Sequence, residues 1–388
     1  MDIVALRRKK FMRNIGIGLI ALGIVSLLLN VSPGYKRDKF TDVTNLVLNE
    51  ENITEELLQE IYISDSGIVY LSYEDVERLF DSTIYYDKKY DQVITTSDTS
   101  VAFIPVKGTK VLINNEEKDI IDTLITNQGV LYIPISEIQE VYDISVRYAY
   151  ETNIVIIDNL NKGMITAELK ENVILKFRPR ALSKDVCEVQ EGERVSCFYT
   201  TSAGWRQVRT DDGITGYLKA NMLKNEMIIR QDIPKRGEAK IISVNSKGET
   251  KITKEDKTIN VKIAELFKII SQDNIGIDKN ASDNTDTNKY ELWTTISNKG
   301  VERQIEIFLA DSKIRNDLIN KIAELSLEYG LNGVNVDFRN IEGIKNFERF
   351  LIELAPRLRN NGINICVTMG EGIVKENIKD IVDYVIEY

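Results

Sequence analysis

Two stretches of this chain repeat one another. GIVYLSYEDVERLFDSTIYYDKKYDQVI from Gly67 aligns with GVLYIPISEIQEVYDISVRYAYETNIVI from Gly129, which sets Tyr70 on Tyr132, Val76 on Ile138, Phe80 on Tyr142, Tyr86 on Tyr148 and Val93-Ile94 on Val155-Ile156. Each copy reads as strand, short helix, strand, strand. A solenoid needs more repeats than two, so the duplication predicts one compact α+β domain, bounded at 40–160. Its tyrosines suit packing at strand pairs.

At 388 residues there is room for two to four domains, each with its own core. Apolar residues make up 43%, charged ones 28%, and there are only 6 prolines, the composition of folded protein. A net charge of −10 excludes a general nucleic-acid partner, because phosphate recognition depends on basic surface. Histidine is absent altogether, which removes Ser-His-Asp and Cys-His nucleophiles and every His-ligated metal site. Any catalysis must run on carboxylates, and no cofactor or metal is expected. Cys187, Cys197 and Cys366 lack metal-ligand spacing, and three cysteines cannot form a fully paired framework. Cys187 and Cys197 are compatible with a pair on neighbouring strands or with two separate buried thiols.

Ile15 to Val31 form a 17-residue apolar run without a charge, preceded by Arg7, Arg8, Lys9, Lys10 and Arg13. The following LNVSPG lacks an A-x-A-like cleavage site, so the run reads as an uncleaved membrane anchor rather than a signal peptide. Residues 1–35 are then a cytoplasmic tail and a single transmembrane helix, with the bulk of the chain outside the cell membrane.

The duplicated pattern resembles the copper amine oxidase N-terminal-like domain, a non-catalytic stalk of bacterial envelope proteins. No copper site follows from the resemblance in a chain without histidine. Between 162 and 226 the reading changes to short strands and tight turns, with Phe177-Arg178-Pro179, Gly192, Gly204-Trp205-x-x-Val208-Arg209 and Gly213-x-x-Gly216-Tyr217 as landmarks. These resemble a bacterial SH3-like domain, which implies a small all-β barrel. The resemblance also implies cell-wall peptide or glycan as its ligand, with Trp205 and Tyr217 packing the barrel or lining its groove.

From 235 to 388 strands alternate with helices. Strands are expected at Lys240 to Val244, Glu291 to Ile296, Asn364 to Thr368 and Asp383 to Tyr388, and short helices at 261–270 and from about 373. Ile314, Leu318, Ile322, Leu325 and Tyr329 mark an amphipathic helix, with Asp311 or Ser312 as its cap and Gly330 as its stop. Ile344, Phe347, Leu351, Leu354 and Leu358 mark another, kinked at Pro356 and closed by Asn361-Gly362. Between these helices lies LNGVNVDFR. Strand alternation puts Val334, Val336 and Phe338 on one side and Asn335, Asp337 and Arg339 on the other. A parallel strand covered on both faces is normally apolar throughout, so three polar residues on one face predict a binding or catalytic pocket. A strand with one wet face is the alternative, and the flanking helices argue against it.

NGVNVDFR resembles the D-G-x-D-x-D-x-E signature on the fourth strand of family 18 glycoside hydrolases. LAPRLRNNGINICVT and IVDYVIEY resemble that family's fifth and sixth strands. The resemblance implies that Asp337 matches the Asp that orients the substrate N-acetyl group, Asn335 the middle Asp and Asn332 the first Asp. Substrate-assisted hydrolysis in that family needs a Glu as general acid, and Arg339 stands in its place. A guanidinium stays charged and cannot serve as that acid, so an ion pair with Asp337 is expected instead. Asn332, Trp293, Trp205 and Tyr217 are the candidate substrate-binding residues.

The expected fold is therefore multidomain: a transmembrane helix, an α+β duplicated stalk, a small all-β SH3-like barrel and an α/β partial TIM barrel. Two strand-helix units of that barrel are expected to be missing, leaving an open sheet with raw edges. The expected function is that of an anchored envelope protein of a Gram-positive bacterium, binding cell-wall glycan, peptidoglycan or chitin-like N-acetylglucosamine polymers with hydrolysis lost. An active glycosidase using Glu342 as replacement acid is the alternative. A structural or partner-binding protein without glycan affinity is a third.

Overall fold

The computed structural model describes residues 43–254, 256–278, 288–341, 343–369 and 376–387. The expected anchor at Ile15–Val31 and the suggested acid Glu342 lie outside them. Among the described residues no helix is long and apolar enough to cross a membrane. The chain divides into two compact units, one formed by residues 166–227 with 50–52, the other by 42–49, 53–165 and 228–388.

In the duplicated region the two copies pack on each other through matching positions. Strand Val69–Ser72 pairs antiparallel with its counterpart Val130–Pro134, with Tyr70 opposite Pro134 and Ser72 opposite Tyr132. Phe80 stacks on Tyr142 with ring centroids 5.2 Å apart. The polar devices repeat as well. Asp75, at the start of helix Tyr73–Leu79, accepts from the Leu58 and Gln59 backbone amides at 2.8 and 3.1 Å. Glu137, its counterpart, accepts from Ile121 and Asp122 at 3.0 and 3.1 Å. Both carboxylates are buried, at 1% and 6% exposure, where unmet amide donors would be costly. At the hairpin ends Asp91 and Asn153 adopt positive φ and accept from the Tyr86 and Tyr148 hydroxyls. Polar side chains of this kind tolerate that conformation better than others.

The first compact unit is all β. Its seven-stranded sheet runs, in spatial order, Asp185–Val189, Val173–Lys176, Thr215–Lys219, Trp205–Arg209, Arg194–Thr200, Met164–Leu169, Leu223–Arg230. Cys187 and Cys197 therefore sit on strands that are not neighbours, and both are free thiols. Burial pushes each of them up to about 11.

Residues 240–387 form a second sheet with helices outside it. Its strands are β1 Lys240–Ile242, β2 Glu249–Lys254, β3 Lys257–Ser271, β4 Asn274–Ile277, β5 Glu291–Ser297, β6 Gly333–Asp337, β7 Asn364–Met369 and β8 Tyr384–Glu387. The helices are α1 Ile305–Ala310, α2 Ser312–Glu328, α3 Ile344–Asn360 and α4 Glu376–Ile381. Spatial order is β1-β8-β7-β6-β5-β3-β2, with β4 paired to β3. All pairs from β1 round to β3 are parallel, while β2 returns antiparallel along β3. The two ends of that order, β1 and β2, are joined by a tight turn in which Asn245 N–H donates to the Glu249 carbonyl at 3.0 Å. Thr250 Oγ1 bonds the Ser243 carbonyl at 2.8 Å across the same gap.

The sheet is thus a nearly closed barrel. This corrects the expected open edges, because the β1–β2 hairpin occupies the space that would have exposed them. Residues 261–270 are also corrected, from helix to part of β3. Pairing with β2 on one side and β5 on the other holds the segment extended, with Ile259, Val261 and Ile263 on the barrel's inner side.

Alternation sorts the side chains cleanly. Ile242, Ile252, Val261, Trp293, Cys366, Tyr384 and Ile386 pack inside the barrel. Leu292, Ile296, Val334, Val336, Ile365, Val367 and Val385 face outward into one core with Phe347, Phe350, Leu351, Leu354 and Leu358 of α3 and Leu318, Ile322 and Leu325 of α2. Burying each such side chain contributes about 1.5–3 kcal/mol. Asp311 caps α2, accepting from Lys313 and Ile314 N–H at 3.0 Å each. Helix α3 continues through Pro356 and stops at Asn361-Gly362, where Gly362 takes φ 71° and Ile363 N–H returns to the Leu358 carbonyl.

Candidate functional site

Three consecutive inward positions of β6 rise from the barrel interior to its carboxyl mouth. At the bottom Gly333 lies against the Trp293 ring: a Cβ there would sit 2.4 Å from Trp293 Cδ2. Next comes Asn335, 3% exposed, whose Nδ2 donates to Thr295 Oγ1 at 3.1 Å and whose Oδ1 accepts from Thr368 Oγ1 at 3.0 Å. A neutral polar ladder therefore crosses β5, β6 and β7 beneath the mouth, with its buried amide satisfied on both sides.

Above the ladder Asp337 and Arg339 form a two-pronged ion pair. Arg339 Nε donates to Asp337 Oδ1, and its second nitrogen, Nη2, to Oδ2 at 2.9 Å. The Arg339 side chain is 55% exposed and that of Asp337 is 18% exposed. A pair open to water on its cationic side is worth only about 0–1 kcal/mol, so an incoming ligand could exchange for it at little cost. Arg339 itself is anchored by its backbone. Asn298, fully buried, accepts from Arg339 N–H at 2.8 Å and donates to the Arg339 carbonyl at 2.9 Å.

The structure brings Asn335, Asp337 and Arg339 together at the mouth. Asn332 lies at the other end of β6, where its Oδ1 accepts from Leu292 N–H at 3.1 Å and its carbonyl from Asn364 N–H at 2.9 Å. Trp293 also sits at that amino end, fully buried, its ring 5.2 Å from Tyr384 and its Nε1 donating to Glu291 at 3.3 Å. Trp205 and Tyr217 belong to the all-β unit, each 8% exposed, with the Lys219 ammonium 4.7 Å from the Trp205 ring centroid. Cys366 is buried inside the barrel, and burial pushes its thiol well above the ordinary range, so it is no nucleophile. Among the described residues no group of three or more Cys, Asp or Glu is placed to hold a metal ion.

Thr295, Asn298 and Thr368 complete the site and were not anticipated. Thr295 had a signal, since Trp293, Thr295 and Ser297 alternate along β5 as the polar residues do along β6. Asn298 had none: its role depends on where two loops meet.

Residues 47–157 match the family described as Copper amine oxidase N-terminal domain. A comparison with curated proteins gives no significant match. Among solved structures, a Bacillus subtilis protein described as a sporulation-specific glycosylase matches at 20% identity and TM-score 0.30, over 34% of this chain and 50% of that one. The Bacillus cereus spore cortex-lytic enzyme SleL matches at 17% identity and TM-score 0.30, over 42% and 43%. A class V chitinase from Pseudomonas fluorescens matches at 14% identity and TM-score 0.29, over 33% and 45%. The chain thus spans half or less of the length of each of these structures.

Proposed function

We propose that this chain is a glycan-binding protein of the cell envelope, built on a barrel of family 18 type in which the general acid has been replaced and hydrolysis lost. One observation carries the reading: at the signature position of the acid stands Arg339, with its guanidinium held by Asp337. A cation that cannot release a proton at neutral pH removes the acid's contribution, about 10²–10⁴-fold in rate. What remains suits binding. Asp337 can exchange its weak ion pair for a ligand amide, above a floor of neutral hydrogen-bonding groups. The class of ligand, N-acetylglucosamine-containing glycan, rests on the sequence signature. The apolar run Ile15–Val31 behind a cationic front supports anchoring in the membrane with the barrel outside, and the Gly204-Trp205 and Gly216-Tyr217 pattern supports an SH3-like wall-binding role for 162–226.

The test is calorimetric titration of the purified chain with N-acetylglucosamine oligomers, alongside a reducing-end assay on the same oligomers. Binding without turnover is expected, weakened about tenfold in Asp337→Ala, which corresponds to about 1.4 kcal/mol. Measurable turnover would overturn the loss of hydrolysis, and absence of both binding and turnover would overturn the glycan reading.

A further inference from the structure

The duplicated domain touches the barrel on the outer face of α2 and α3, and beside the apolar cluster of Ile94, Val101 and Phe103 that contact carries charged and hydrogen-bonding groups. The apolar cores on either side of it are separate, one drawn from residues 46–157 and the other from 266–385. At its centre Arg315 of α2 and Glu353 of α3 form an ion pair with side chains 3% and 1% exposed. Arg315 also donates to the Leu309 carbonyl at 2.7 Å. Tyr85, on strand Tyr85–Asp87 of the duplicated domain, closes the group: its hydroxyl accepts from Arg315, and the Arg349 guanidinium lies 4.0 Å from its ring centroid. Arg349 reaches past the ring to the Thr83 carbonyl.

Around the rim the same division of labour recurs. Asp98 accepts from Arg236 at 3.1 Å and from Arg359 at 3.3 Å, Asp87 accepts from Ser312, and Asn115 accepts from Asn320 at 2.8 Å. In the opposite sense, Lys89 and Tyr90 donate to Asp311.

A helix face bearing three arginines, Arg315, Arg349 and Arg359, and a buried glutamate cannot be covered by an arbitrary apolar surface. Removing those charges from water is costly unless the covering surface supplies acceptors in the right places. Here that surface is a ring face, a hydroxyl, a carbonyl and two carboxylates, all from the segment Thr83–Asp98, and matched polar groups of this kind select one partner against others.

We infer that the duplicated domain is the dedicated docking partner of the α2–α3 face, so that the two fold and unfold as one cooperative unit with Tyr85 as the joint. It is not a freely hinged spacer.

Hydrogen exchange of the complete chain, read by peptide across 43–159 and 305–360, tests this. In the wild type, α2 and α3 should share a common opening with strand Gln92–Thr96. Tyr85→Ala should raise exchange of α2 and α3 amides at least tenfold, with Tyr85→Phe, which keeps the ring, intermediate. If Tyr85→Ala does not fold, Arg349→Ala makes the same test from the barrel side, and strand Gln92–Thr96 should exchange faster. Independent opening in the wild type would overturn the inference, as would either alanine variant loosening only the side that carries it.

Discussion

Asn298 holds both backbone polar groups of Arg339, taking its N–H at 2.8 Å and giving to its carbonyl at 2.9 Å. Position 339 is therefore fixed by the chain, independently of which side chain it carries. Replacing Asn298 with Ala should remove two part-buried hydrogen bonds, each worth about 0.5–1.5 kcal/mol. Urea unfolding of the variant reads this directly, and an unchanged midpoint would mean that water substitutes for the side chain.

Because the backbone is held, Arg339→Glu should deliver a carboxyl group to the mouth of β6 without disturbing the fold. The ion pair it removes is half open to solvent, so the stability change should stay within about 1 kcal/mol. The neighbouring Asp337 carboxylate would then favour the protonated form of the new group, as a general acid requires. Hydrolysis of a chromogenic N-acetylglucosamine oligomer should rise above the wild-type baseline. A flat baseline with the fold intact would show that the cleft lacks more than its acid.

The polar face of β6 was legible from alternation alone, since Val334 and Val336 had to face the helices once the strand was covered on both sides. The duplication was equally legible, and the pairing of Phe80 with Tyr142 is its direct consequence. What the pattern could not give was closure. Whether β1 and β2 meet depends on a turn at Asn245–Gly248 and on hydrogen bonds between distant segments, and neither leaves a periodic trace. Residues 261–270 misled because an apolar stretch containing Ala264 and Leu266 fits a short helix as well as a strand, and only pairing with β5 and β2 decides it. Trp293 was expected among the substrate-binding residues, and its place opposite Gly333 buries it completely.

Gly333 is required by that tryptophan. A methyl group 2.4 Å from Trp293 Cδ2 can be relieved only by moving the largest side chain inside the barrel. Gly333→Ala should cost about 1–3 kcal/mol, the usual penalty of overpacking, and should change the near-ultraviolet circular dichroism of the buried indole. Retention of both the spectrum and the melting temperature would show that the barrel floor is looser than its geometry implies.

Asp311 makes stability depend on acid. Partial burial opposes its ionisation, but hydrogen bonds from Lys89, the Ile314 amide and Tyr90 outweigh it and hold the carboxyl at about 2. A carboxylate depressed in the folded state adds stability that is fully present above its unfolded value, about 3.9, and is lost as pH falls through about 2. Lys89 is largely exposed, so screening reduces the contribution to about 1–2 kcal/mol. Comparing urea midpoints of wild type and Asp311→Asn, the difference should be constant from pH 7 to pH 5 and shrink towards pH 2. A difference that does not change over that range would assign the effect to helix capping alone.

Asp75 and Glu137 do one job in the two copies, but with different loads. Asp75 meets two loop amides and the Ser72 hydroxyl at 2.7 Å, whereas Glu137 meets two loop amides and a longer contact of 3.3 Å from Ser136. Removing a buried charged acceptor strands each of its donors, and hydrogen bonds to charged groups are worth about 1.5–3 kcal/mol each before relaxation. Asp75→Ala should therefore destabilise the duplicated domain more than Glu137→Ala, by about 1–2 kcal/mol. Asp75→Asn, which keeps one accepting oxygen, should fall between them. Exchange of the Leu58 and Gln59 amides in the first variant, and of Ile121 and Asp122 in the second, should rise locally before the duplicated domain unfolds. Equal losses in the two alanine variants would mean that the Ser72 hydroxyl finds water once its acceptor is gone, leaving the paired amides as the whole of the effect.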